Sequence, residues 1–235
     1  LYNLPGRPAK FLGFYFLYLL AFSIPWLLYF WMNRSVQFPA LLKWLIILAP
    51  AIFALKVSAG GWQELIRSWI PGNNGRLWAI LVDWPMRLLI TVSILWMLKW
   101  IMDQQVSAGS GRDSFYGLTL ANFKWTPYLI LLAAAIPLVA FAATRPDFLL
   151  TYPKLKALGF LSPEGPKPWQ KWLFELAYGS DFLTIELFFR GLLVVVLSRF
   201  AGPAAILPMA VFYCSIHFGK PLLECISSYF GGILL

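Results

Sequence analysis

Glu186 and Arg190 stand four residues apart inside a long apolar run, in acid-then-base order. On a helix that spacing puts both side chains on one face. Charges inside a bilayer-length segment are costly, so such a pair turns into the bundle, either as a packing ion pair or as the polar wall of an active site. Asp181 precedes Ile185 by four residues and lies on a neighbouring face. His217, the single histidine, ends the next apolar run, with Gly219 placed as a helix C-cap and Pro221 suited to the first turn of another helix. A lone histidine there reads first as a dipole-stabilised or hydrogen-bonded residue, and second as a metal ligand. Cys214 sits one turn before it and Glu224 follows at a similar depth, but Cys plus His alone does not make a zinc site. Asp83 and Arg87 repeat the acid–base spacing with Pro85 between them, as expected of an internal ion pair near one end of a span.

The elements that must position these groups are apolar helices. Six stretches approach the length of about 20 residues that a bilayer requires: 11–31, 41–59, 77–102, 128–144, 172–197 and 201–217, with a seventh beginning near 221. Between the second and third, Trp62, Leu65, Ile66 and Trp69 follow the i, i+3, i+4, i+7 pattern of one helical face, while Gln63, Glu64, Arg67 and Ser68 take the other. This predicts a short helix lying in the membrane interface, or an amphipathic connector. The expected fold class is all-α: a polytopic transmembrane bundle of seven or more spans with a short interfacial helix. Residues 1–110 form its N-terminal helices and 111–235 its core. The chain opens on Leu1 and closes in an apolar run at 231–235, so the natural protein is expected to extend at both ends.

Composition agrees. The chain of 235 residues is 60% hydrophobic and 12% charged, against roughly 45–50% and about 25% in an average soluble domain. Disordered, collagen-like and disulfide-scaffold classes are excluded, and a soluble globular domain would have too few charges to cover its surface. Twelve Trp, ten Tyr and twenty Phe fit the aromatic belts of a bilayer protein. Nineteen Lys and Arg oppose ten Asp and Glu, for a net charge of +9. No basic cluster recurs on one face, so nucleic acid is not an expected partner. The cations read instead as positive-inside loops. With the N-terminus inside, ten of them (Arg7, Lys10, Arg67, Arg76, Arg145, Lys154, Lys156, Lys167, Lys171, Lys220) face four outside (Arg34, Arg112, Lys124, Arg199). The expected location is the cytoplasmic (inner) cell membrane, with segment 145–171 in the cytoplasm.

Glu186-Leu-Phe-Phe-Arg190-Gly191, an apolar helix, and an aromatic four residues before His217 together resemble the CAAX protease and bacteriocin-processing family of intramembrane proteases. Segment 116–124 resembles the stretch preceding that family's core, and the likeness covers roughly residues 115–235. The family pattern is Glu-Glu-x-x-x-Arg, then Phe-x-x-x-His, then a later His-x-x-x-Asn/Asp. Carried over, Glu186 matches the second Glu, Arg190 the motif Arg and His217 the second-motif His; Tyr213 replaces the Phe, and the third motif would lie beyond Leu235. The resemblance implies a catalytic set of Glu186, Arg190 and His217, with His217 as a ligand to a divalent metal such as zinc if the protein is active. The first Glu, held to activate water, falls on Ile185, whose aliphatic side chain cannot take a proton.

Two readings follow. One is a non-catalytic relative, a scaffold or accessory subunit of a membrane assembly that binds the lipid bilayer, other membrane subunits, or a lipidated or hydrophobic peptide. The other is an active CAAX-like endopeptidase in which Glu186 or Asp181 replaces the missing Glu. A transporter with Asp83, Arg87, Glu186 and Arg190 in its path is weaker, because no inverted repeat is visible.

Overall fold

The computed structural model describes residues 3–34, 39–105, 114–119 and 124–234, and these fold as helices without a strand among them. Helix α1 (Gly6–Met32) buries Phe14, Tyr18, Phe22 and Trp26, one per turn on a single face. Its other faces are equally apolar yet exposed: Phe16, Leu20, Ile24 and Leu27 are each more than half accessible. A helix apolar all round belongs in hydrocarbon, where exposed leucine carries no hydration cost. The same holds for α2 (Ala40–Ser58) and α4 (Gly72–Gln105), which carry Pro50 and Pro85 within them.

Four helical stretches are long and apolar enough to cross a membrane, Gly6–Met32, Ala40–Trp69, Gly72–Gln104 and Pro168–Ser215. A fifth is added if α5 (Thr126–Ala142) and the segment after it, bent by 100°, form one span. The sequence reading of seven or more spans exceeds this count because its last segments make short helices. Within Pro168–Ser215, α7 (Pro168–Ile185) leads into a π-helix at Glu186–Val196, after which the chain turns at Gly202 with φ of 57°. Phe189 precedes that turn and Tyr213 follows it, yet their rings meet at 5.1 Å. The stretch is therefore a hairpin, and its return arm α9 (Ile206–Ser215) has only 10 residues. Helix α10 (Leu222–Leu234) has 13. Two further short helices are α6 (Pro146–Thr151) and α8 (Ser198–Ala201).

The helices close a ring. Helix α1 packs between α2 and α9, α9 against α10 and the π-helix, and α4 against both α2 and α7. Phe53, Phe188, Phe189 and Phe212 fill its centre with mutual ring contacts of 5.0–5.9 Å. The π-helix brings the consecutive Phe188 and Phe189 both into this core. Gly191 is required by packing: a Cβ there would lie 2.8 Å from the Cβ of Tyr116. Tyr116 is anchored in turn by donating its hydroxyl to the Leu95 carbonyl at 2.9 Å. Positions 120–123 of the family-like segment, and Arg112, fall outside the described residues.

One end of the bundle gathers cations. The expected amphipathic helix is α3 (Trp62–Trp69), and Arg7 at the start of α1 reaches its Glu64 at 3.4 Å. Arg76 at the start of α4 lies 4.0 Å over the Phe160 ring, and Asn73 donates to the Phe160 carbonyl at 3.2 Å. These contacts place α1's start, α3, α4's start and Phe160 on one side of the bundle.

Candidate functional site

Inside the ring lies a cavity of about 350 Å³. Its wall draws on four long helices: Tyr18 of α1, Phe53, Lys56 and Val57 of α2, Trp84 of α4, and Tyr178, Asp181, Phe182 and Ile185 of α7. Tyr213, Ile216, His217 and Lys220 come from α9 and the turn after it, and Lys154 from a 3₁₀ segment at Lys154–Leu158.

Lys56 is only 6% exposed, and its Nζ sits 2.6 Å from Asp181 Oδ1 and 5.1 Å over the Phe53 ring. A buried ammonium is tolerated only with such partners, so this pair ties α2 to α7. The end of α2 is held by a second network. Arg87 Nη1 donates to the Lys56 and Val57 carbonyls at 2.6 and 2.8 Å, groups that a helix C-terminus leaves unpaired. Arg87 Nε donates to Asp83 Oδ2 at 3.0 Å, and Asp83 Oδ1 accepts from Trp62 Nε1 at 3.0 Å and from Gln63. The Asp83–Arg87 pair expected from spacing is thus a structural clamp that positions Lys56.

His217 lies past the C-terminal end of α9 and is buried. Its Nδ1 contacts the Tyr213 carbonyl at 2.9 Å, and its ring meets the Tyr213 ring edge-on at 4.9 Å. A carbonyl can only accept, so the proton sits on Nδ1 and Nε2 keeps the lone pair. Burial pushes the imidazole below its ordinary range, keeping it neutral near pH 7. The turn into α10 is stitched by neighbours: Lys220 pairs with Glu224 at 2.7 Å, the Tyr152 hydroxyl donates to Glu224 at 2.9 Å, and the Cys225 thiol donates to the His217 carbonyl at 2.7 Å.

The three motif residues do not converge. Glu186 pairs with Arg190 as expected, but the Glu186 side chain is 51% exposed and neither residue lines the cavity. His217 and Ile185 do line it, with Asp181 one turn away. Sequence reading passed over Lys56. Its signal was present, a lysine inside the apolar run 41–59, the same anomaly that drew attention to Glu186.

Among the described residues no three His, Cys, Asp or Glu side chains gather in a way that could hold a metal ion. The nearest donors are engaged: Asp181 with Lys56, Glu224 with Lys220 and Tyr152, and the Cys214 and Cys225 thiols with backbone carbonyls. What the wall offers is a carboxylate paired with Lys56, a neutral imidazole, two further lysines and aromatic surface. No family model matches the chain, and neither a curated protein nor a solved structure matches it.

Proposed function

We propose that this membrane protein is a non-catalytic counterpart of the CAAX-type intramembrane proteases, a scaffold or accessory subunit that holds a hydrophobic or lipidated partner against its central cavity. The observation that carries this reading is the helix face at positions 185 and 186. Ile185, where the family motif would place its water-activating Glu, lies on the cavity wall, while Glu186 turns out of it. A general base must stand within hydrogen-bond reach of the water it activates. Asp181, the carboxylate on that wall, is held by Lys56.

The subunit role draws support from the half-exposed Glu186–Arg190 pair, because a charge turned toward hydrocarbon is costly and a polar partner helix would cover it. Helix α5 buries none of its residues. The protein sits in the cytoplasmic membrane with its N-terminus and cation-rich end inside, and α5, α9 and α10 complete a seven-span bundle.

The test is cleavage of prenylated and unmodified peptides by the purified protein beside Ile185→Glu and His217→Ala. Wild type is expected to be inactive. Wild-type cleavage that disappears in His217→Ala would overturn the proposal and establish the active endopeptidase.

A further inference from the structure

We propose that the central cavity binds the phosphate-bearing headgroup of an anionic lipid, with Lys154 and Lys220 as its cationic contacts. The inference rests on reading the cavity as a binding site. Three ammonium groups and one carboxylate line it. Lys56 is committed to Asp181, and Lys220 shares Glu224 with the Tyr152 hydroxyl. Lys154 forms no ion pair with a described carboxylate; its Nζ lies 4.9 Å over the ring of that same Tyr152. The Tyr152–Glu224 contact therefore holds two ammonium groups beside one cavity with a single carboxylate between them. The remaining positive charge calls for an anion.

The hydrogen-bond inventory points the same way. Tyr178 and Tyr213 line the cavity, and neither hydroxyl donates to a described acceptor. Two ammonium groups and two hydroxyls make a donor set for an oxyanion with several acceptor oxygens, and charge-assisted bonds of this kind are the strong ones. At about 350 Å³ the cavity has the size of a small-ligand site, enough for a headgroup and too little for its acyl chains.

The chains have an exit. Phe182 lines the cavity and is 57% exposed, so an apolar side chain stands where the cavity meets the outside. Ile185 and Ile216 continue that apolar wall inward. A water-soluble phosphate would gain nothing from these residues, whereas a lipid's glycerol and first methylenes would cover them.

The experiment measures thermal unfolding of the full chain in neutral detergent micelles doped with phosphatidylglycerol, with phosphatidylcholine, or with inorganic phosphate alone. Phosphatidylglycerol is expected to raise the midpoint in a saturable way and phosphatidylcholine to leave it unchanged. Lys154→Gln, and separately Tyr178→Phe, should weaken the apparent phosphatidylglycerol affinity about tenfold, the effect of losing one bond to a charged group. Lys171→Gln, an exposed lysine outside the cavity, should match wild type. Equal protection by phosphatidylcholine, or Lys154→Gln and Tyr178→Phe both behaving like Lys171→Gln, overturns the proposal. Full protection by inorganic phosphate overturns the lipid as its source. Peptide cleavage is scored separately, so a failed lipid site leaves the non-catalytic reading standing and active cleavage refutes only the latter.

Discussion

Replacing Lys56 by Met removes the ammonium that Asp181 faces at 2.6 Å and leaves a carboxylate with no counter-charge. Breaking a buried pair by deleting one partner costs about 3–5 kcal/mol, because the surviving charge loses its compensation. The Lys56 side chain is 7% exposed and that of Asp181 24%, so water in the cavity relieves part of the penalty. The lower end, about 3 kcal/mol, is the expected loss for Lys56→Met. Removing both charges is a different perturbation. In Lys56→Met with Asp181→Leu, neither charge is left to be solvated, and replacing a buried pair by apolar groups is often neutral or stabilising. The double variant should therefore recover most of the loss, giving a coupling energy of about 2 kcal/mol or more. The assay is reversible unfolding of the purified protein in mixed micelles, read by tryptophan fluorescence for wild type, both single variants and the double variant. A Lys56→Met variant within about 0.5 kcal/mol of wild type, or a double variant equal to the sum of the singles, would refute the assignment of this pair as the tie between α2 and α7.

Glu186→Gln leaves Arg190 without its counter-charge but keeps an acceptor oxygen for it, and should cost about 1–2 kcal/mol in the same assay; a loss matching Lys56→Met would show a pair buried as deeply. Gly191→Ala should lower stability by about 1–3 kcal/mol, because the added methyl meets Tyr116 Cβ at 2.8 Å; an unchanged unfolding midpoint would show that the π-helix yields. Burial lowers the His217 pKa, so the unfolded chain binds the proton more readily. The stability this contributes is present above the unfolded value of about 6.5, starts to fall as pH drops through it, and His217→Gln should flatten that slope between about pH 7 and 5. For orientation, a thiol placed by Ser162→Cys should resist a membrane-impermeant reagent added outside intact cells, and ready labelling would reverse the proposed topology.

Much of the architecture was legible before any coordinates. Apolar runs of bilayer length dictate helices, because an unpaired backbone group in hydrocarbon costs several kcal/mol and a helix satisfies its own. The amphipathic period of 62–69 and the Asp83–Arg87 spacing both report local geometry, and both appear as expected. Adjacency within one helix likewise determined the Glu186–Arg190 pair. Local periodicity does not say which face of a helix meets which neighbour, and tertiary structure alone decided that. Only the packing of α7 against α4 turned Ile185 and Asp181 to the cavity and left Glu186 outside it. It likewise paired Asp181 with Lys56, more than a hundred residues away in sequence. A charge inside an apolar run announces that it needs a partner, but the partner is chosen by the closing of the ring, where several helices converge and an unpaired ion is largely cut off from water.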